Sequence, residues 1–233
     1  MRLSKLTKEE YYSQFYDLLL EDMSSKPLSR MVRLTHKSLE RNNSKDKEFK
    51  TVLELGAGTG KHFKYVKHKF NKYIESDIRP RKRIKPDKFK DNRLIFKIID
   101  AQKLNQFQDG TIDRIISTCV LIHLENPSKA LHEWRRVINK KNGQISLYIP
   151  CEPGFVLRIM RYVTTVQKAR KFGVNHLFFH YKEHKFNYLF LKTIIEEVFI
   201  DCDVKWRKYP FIFGSWNLNL WSICTINFTK TLR

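Results

Sequence analysis

The sequence predicts an α/β protein built on a doubly wound, mostly parallel sheet, with N-terminal helices leading in and a C-terminal insertion before the sheet ends. Three observations carry that prediction. Short apolar runs alternate with helical stretches through the middle of the chain, and a glycine-rich turn follows the first run. The 233 residues include 42% hydrophobic and 13% aromatic residues, enough for one packed core. Eight Gly and seven Pro exclude a low-complexity or collagen-like chain.

In chain order, Tyr12, Phe15, Tyr16 and Leu19, then Leu28, Met31, Val32 and Leu39, recur at helical spacing, with Pro27 near a start. Residues 1–50 therefore read as a two-helix lead-in. After the charged turn 42–50, strands are expected at 51–55, 73–77, 94–100, 112–117 and 144–149. Between them lie a helix over 61–70, a basic stretch at 79–90, and a helix over 127–139. Ala130, Leu131, Trp134 and Val137 of that last helix share a face, and Asn142-Gly143 marks the turn after it. This core spans 51–150. Beyond Cys151 aromatic and basic residues interleave, and apolar runs at 189–199 and 220–228 predict a helix and a strand. Residues 151–233 thus read as a substrate-side insertion and the end of the sheet, within one domain overall.

Lys and Arg number 45 against 24 Asp and Glu, a net charge of +21. The excess is concentrated, with 14 bases against four acids from Lys61 to Lys97 and nine against one from Arg135 to Lys171. Such clusters suit an anionic partner (RNA phosphate, a sugar diphosphate, a lipid-linked glycan or an acidic leaflet) or form a solvated coat. Phe155, Val156, Leu157, Ile159, Met160 and Tyr162 alongside Arg158 and Arg161 make a basic amphipathic segment, fit to touch a membrane, cap a pocket or pack in the core. Cys119, Cys151, Cys202 and Cys224 show neither CxxC nor zinc-finger spacing, which points to reduced thiols. No apolar run approaches the roughly 18 residues of a membrane span. The first ten residues turn acidic before any apolar stretch, so a secretory signal is not expected. The expected address is cytoplasmic, with peripheral contact to the inner face of a membrane open.

The most informative segment is Leu53-Glu54-Leu55-Gly56-Ala57-Gly58-Thr59-Gly60-Lys61 at a strand exit. Glycines there let the backbone bend and bring bare N–H groups against a ligand. A dinucleotide fingerprint fails because Lys61 stands where its third Gly or Ala belongs, and a P-loop fails at Leu55 and His62. The remaining Glu54-x-Gly56-x-Gly58-x-Gly60 pattern resembles the first motif of class I S-adenosylmethionine-dependent methyltransferases, of the type 11-like group. Asp77 closes the second strand where the family places its ribose-binding acid. Asp100-Ala101 resembles the acid-plus-small pair against adenine, and the 107–123 stretch resembles the fourth strand and its exit. The resemblance covers about residues 50–150, with departures at Asn142, for the usual Pro-Gly-Gly turn, and at Ile112, for the usual aromatic before the acid. It implies a Rossmann-like core and S-adenosyl-L-methionine as cofactor. Its cofactor-binding residues would be Glu54, Gly56, Ala57, Gly58, Gly60, Asp77, Asp100, Ala101 and Thr118. Asp113 suits a structural role as well as a cofactor contact.

In an open parallel sheet the acceptor should meet residues beyond the fourth and fifth strands and in the insertion. His123 there is either a general base or a hydrogen-bonding, packing histidine. His176, His180 and His184 recur every fourth residue and would share a helix face. The candidate catalytic residues are His123, His180 and His184; candidate substrate contacts are Glu152, Tyr181, Trp216 and Asn217. The spacing is not read as a metal site. Cys151 near a strand end invites comparison with a cysteine nucleophile, a weak match. Thr118-Cys119-Val120-Leu121 lacks the Asn/Asp-Pro-Pro-aromatic motif of base-amino methylation. The aromatic tail from Tyr209 to Trp221 resembles those of surface-polysaccharide methyltransferases. The expected function is methyl transfer to an oxygen or nitrogen of a small anionic or carbohydrate-type acceptor, surface-polysaccharide or lipid-linked acceptors included. An RNA (tRNA) methyltransferase and a noncatalytic binding subunit on the same fold are the alternatives.

Overall fold

Alternating side chains along each strand build two apolar layers, one on each side of a single sheet. The computed structural model describes residues 26–80, 91–171 and 174–228. Its strands are β1 (Thr51–Leu55), β2 (Lys72–Asp77), β3 (Leu94–Ile98), β4 (Arg114–Thr118), β5 (Gln144–Pro150), β6 (Asp203–Tyr209) and β7 (Trp221–Asn227). They form one seven-stranded sheet in the order β3-β2-β1-β4-β5-β7-β6. The first five are parallel, and β7 runs antiparallel to both β5 and β6. The order reverses between β1 and β4, so the loops leaving those strands flank a crevice, the usual ligand position in such sheets.

Helices are α1 (Lys26–Leu39), α2 (Pro127–Val137), α3 (Phe155–Arg161), α4 (Gln167–Lys171), α5 (His176–Glu183) and α6 (Tyr188–Val198). A π-helical turn, Tyr162–Val166, joins α3 to α4. Three N-termini are built alike. Asn126, Asn175 and Asn187 accept from the backbone N–H of Lys129, Phe178 and Phe190, satisfying a donor that the first turn leaves open. On one side of the sheet Leu53, Leu55, Ile115 and Leu147 meet Leu131 and Trp134 of α2 and Leu191 and Ile195 of α6. On the other, Val52, Tyr73, Ile116 and Ile223 pack with Leu39, Phe49 and Phe70.

That second side also holds charge. Arg114, fully buried on β4, donates to both oxygens of Glu40 at 2.9 and 2.7 Å. Glu40 Oε1 also lies 2.8 Å from His62 Nε2, and His62 Nδ1 lies 3.0 Å from His36 Nδ1. Burial alone would raise the Glu40 pKa, but Arg114 and His62 outweigh it and hold the carboxyl at about 2.

The helix expected over 61–70 is not formed: the segment makes one 3-10 turn, Phe63–Tyr65. Its residues are pulled inward at intervals no single helix face supplies. His62 and His68 are 1% and 3% exposed, and Phe63 and Phe70 both set their rings edge-on to Tyr73. The expected helix N-terminus therefore contributes no dipole to the glycine loop. The second lead-in helix is α1; the first, at Tyr12 to Leu19, lies outside the described residues, as do 81–90 of the basic stretch. The helix and strand expected at 189–199 and 220–228 are α6 and β7, while β6 was not anticipated.

Candidate functional site

The glycine loop leaves β1 with Gly56, Gly58 and Gly60 all left-handed, at φ of 71°, 52° and 70°. A Cβ on Gly56 would lie 2.2 Å from Val120 Cγ2, so the loop is pressed against the exit of β4. A Cβ on Gly58 would meet nothing within 4 Å; this part of the loop faces open space. Gly58 N–H donates to Asp77 Oδ2 at 3.0 Å, and Asp77 Oδ1 accepts from Arg79 N–H at 3.1 Å. Ala57 N–H donates to the Ser76 carbonyl at 2.8 Å, which fixes the loop to β2. Loop and acid are thus in direct contact. Glu54 points elsewhere: it is 2% exposed and accepts from the Tyr73 hydroxyl at 2.7 Å, on the α1 side of the sheet.

Asp100 follows β3 and accepts from Gln102 N–H at 2.9 Å, while the carbonyl of the buried Ala101 accepts from Trp134 Nε1 at 2.8 Å. At the end of β4, Thr118 Oγ1 is buried without a hydrogen-bond partner. Cys119 next to it is left-handed at φ 61°, a strained conformation for a non-glycine residue. Asp113 belongs to the scaffold, accepting from Thr51 N–H at 2.9 Å and Asn139 Nδ2 at 3.0 Å.

Beyond β4 and β5 the chain brings together a second group. Glu152 Oε2 lies 2.8 Å from His184 Nδ1 and 3.2 Å from His180 Nε2, and Arg161 donates to Oε1. The His180 and His184 rings are 3.9 Å apart, and His123 sets its ring edge-on to His184 at 4.6 Å. Backbone bonds hold these segments in place: Lys185 N–H donates to the Ile122 carbonyl and Tyr188 N–H to that of Glu152. Burial works against the Glu152 charge, yet His180, His184 and Arg161 hold its carboxyl well below the usual carboxylate range. Burial, helped by His184, lowers His123 to about 4; burial also lowers His180, and takes His176 to about 3.

One ligand atom each from Glu152, His180 and His184 lies within 4.8 Å of the others, a spacing a divalent cation can bridge. Arg161 already neutralises the carboxylate there. Tyr181 is 57% exposed with its ring against His180. Trp216 stacks on Tyr188, and the backbone of Trp216 and Asn217 abuts Gly154, two residues past Glu152. Burial pushes the thiols of Cys119 and Cys151 up to about 12, which leaves neither as a nucleophile near neutrality. Sequence reasoning missed Arg161 in this role and Val120 as the loop's backstop. The absence of any acid other than Glu152 between Arg135 and Lys171 was the available signal for Arg161.

A methyltransferase-domain family model matches residues 53–147. Human thiol S-methyltransferase TMT1B is 26% identical over 98 residues, 37% of each chain, so the match spans little more than a third of that relative's length. Among solved structures, a Thermotoga maritima S-adenosylmethionine-dependent methyltransferase, described as a possible histamine N-methyltransferase, matches with a TM-score of 0.61 at 16% identity. It covers 94% of this chain and 98% of its own. A putative methyltransferase from Methanococcus maripaludis matches at TM-score 0.60 and 15% identity, over 99% and 98% of the two chains. The N-methyltransferase NodS of Bradyrhizobium japonicum, solved with S-adenosyl-L-homocysteine, matches at 0.59 and 15%, over 91% and 97%. Sequence over residues 53–147 and fold over nearly the whole chain therefore agree: that segment matches the methyltransferase-domain family, and the fold is the one seen in solved S-adenosylmethionine-dependent methyltransferases.

Proposed function

We propose that the protein transfers a methyl group from S-adenosyl-L-methionine to an oxygen or nitrogen of a small, anionic or carbohydrate-type acceptor. The observation that carries this reading is the Glu152–His184–His180–His123 group beyond β4 and β5, linked to the glycine loop through Val120, which backs Gly56 and accepts from His123 N–H. The cofactor fits the residues present. Gly58 opens onto free space, Thr118 Oγ1 is a buried polar atom without a partner, and Asp77 sits on the loop. In this reading the open face of the loop at Gly58 and Thr118 hold the methionine end, Asp77 the ribose hydroxyls, and Asp100 with Ala101 the adenine. The cofactor supplies a methyl group on a positively charged sulfur, already activated for displacement.

What the chain must add is acceptor alignment and a place for one proton. His184 is the more accessible of the paired histidines, with 16% side-chain exposure against 5% for His180. Glu152 orients its ring and stabilises the imidazolium formed when it takes the acceptor's proton; Arg161 keeps Glu152 ionised. Tyr181, Trp216 and Asn217 border this group and suit acceptor contacts.

The test is labelled S-adenosylmethionine incubated with fractionated cell extract, reading transfer into small-molecule, lipid, RNA and protein fractions. Transfer into the small-molecule or lipid fraction is expected; transfer confined to RNA, or no turnover to S-adenosylhomocysteine, overturns the reading. Glu152→Gln and His184→Ala should lower kcat by roughly 100-fold with cofactor affinity retained. Asp77→Ala should instead weaken cofactor binding about tenfold or more by calorimetry, through loss of a charged hydrogen-bond acceptor.

A further inference from the structure

One outer surface of the molecule combines exposed apolar side chains with a charge of one sign. From Phe155 to Lys171 the chain is helical throughout, as α3, the π turn and α4. Leu157, Val166 and Ala169 are buried on its inner side at 8%, 4% and 0%. On the opposite side Phe155, Ile159, Tyr162 and Val163 are 55%, 49%, 48% and 60% exposed. Their spacing of four, three and one residues places them on one stripe of the helix.

The loop between β6 and β7 adds to this stripe. Phe211 is 58% exposed, Phe213 fully exposed and Leu218 49% exposed. A Cβ on Gly154 would lie 3.3 Å from the Trp216 carbonyl oxygen and 3.5 Å from Asn217 Cα, so the start of α3 and the 216–218 turn adjoin. No acid occurs from Pro153 to Lys182 or from Val204 to Phe228. Arg158, Arg170 and Lys171 are exposed on the helical run, and Arg207 and Lys208 lie on the edge strand β6, where Lys205 is paired with Asp203 at 2.8 Å.

We infer that this surface docks on a lipid bilayer carrying anionic headgroups. Aromatic and aliphatic side chains projecting between Arg and Lys, with no acid from Pro153 to Lys182, match the requirements of an interfacial helix: apolar groups enter the acyl boundary while cations meet lipid phosphate. No described helix is long and apolar enough to cross a membrane, so the contact is made by lying on the surface. Glu152 lies three residues before the run, and its partner Arg161 is on it. The docking inference stands independently of methyl transfer.

The experiment is flotation of the full chain with vesicles of phosphatidylcholine alone or with 30% phosphatidylserine. Wild type should float with the mixed vesicles and about tenfold less with phosphatidylcholine alone. Ile159→Ser with Val163→Ser, and separately Phe213→Ser, should each lower partitioning about tenfold or more while thermal midpoint and S-adenosylhomocysteine binding stay at wild type. Failure to float with mixed vesicles overturns the inference, as does wild-type flotation of the serine variants, which would leave bulk charge as the cause. A concentration-dependent dimer in sedimentation, abolished by the same substitutions, would assign the surface to a second copy instead.

Discussion

Replacing Gly56 by alanine should damage the site by two separable routes. The first is conformational: φ of 71° is left-handed, and an L side chain there costs about 1–2 kcal/mol. The second is steric, because the new Cβ would stand 2.2 Å from Val120 Cγ2, a short branched side chain with little room to retreat, at an overpacking cost of about 1–3 kcal/mol. Together these amount to about 2–5 kcal/mol, a large part of the roughly 5–15 kcal/mol that holds a domain folded. For a chain of this size the thermal midpoint should fall by roughly 5–15 °C. The loop should also lose affinity for S-adenosylhomocysteine, since its N–H groups shift as it moves off Val120. Thermal denaturation and calorimetry on Gly56→Ala, Val120→Ala and the double variant form a cycle that isolates the steric part. Val120→Ala should return about 1–3 kcal/mol in the Gly56→Ala background. A wild-type midpoint and affinity for Gly56→Ala, or no coupling between the two positions, would refute the reasoning.

Other outcomes follow from the buried charges. Arg114→Met should cost about 3–5 kcal/mol in urea denaturation, because it leaves Glu40 without its bidentate partner; adding Glu40→Leu should recover most of the loss, and additivity of the two costs would count against the pairing. Burial above all holds His36 and His176 at about 3 and His68 and His123 at about 4, below their unfolded value of about 6.5. Their contribution is complete above pH 6.5 and is lost as pH falls toward 4 for His68 and His123 and toward 3 for His36 and His176, about 2 kcal/mol each between pH 7 and 5, so the urea midpoint at pH 5 should lie far below that at pH 7. Glu40, depressed to about 2, adds its own loss only below about pH 4.5. Cys151 and Cys224, buried and with raised pKa values, should resist iodoacetamide at pH 8 until urea is added; rapid labelling of the native protein would contradict their placement.

The strands were legible because β1, β4 and β5 are buried on both faces and carry short apolar clusters, Val52-Leu53, Ile115-Ile116 and Leu147 to Ile149. The glycine loop and Asp77 were legible for a different reason: left-handed backbone and a strand-end carboxylate leave few residue types to choose from. The 61–70 segment misled because Phe63, Val66 and Phe70 mimic a helix period, while Phe63 and Phe70 serve as rings packed against Tyr73. Edge strand β6 stayed hidden, since Lys205, Arg207 and Lys208 interrupt its apolar pattern. The recurrence of His176, His180 and His184 every fourth residue pointed to the cluster beyond β5. Its partner Glu152 lies 28 and 32 residues away from His180 and His184, and only the turn after β5 brings it in. The Glu40–Arg114 pair, 74 residues apart, carries no local signal at all.

That pair has a practical consequence for where the chain can be cut. The methyltransferase-domain match begins at residue 53, yet the carboxylate that neutralises the buried guanidinium of β4 is supplied from position 40, and one of its oxygens also reaches His62 next to the glycine loop. A shortened protein starting at residue 51 would strand a cation beneath β4 and unfasten the loop from its footing. The smallest unit that folds is therefore larger than the segment the family shares, and expression of isolated fragments should start no later than α1.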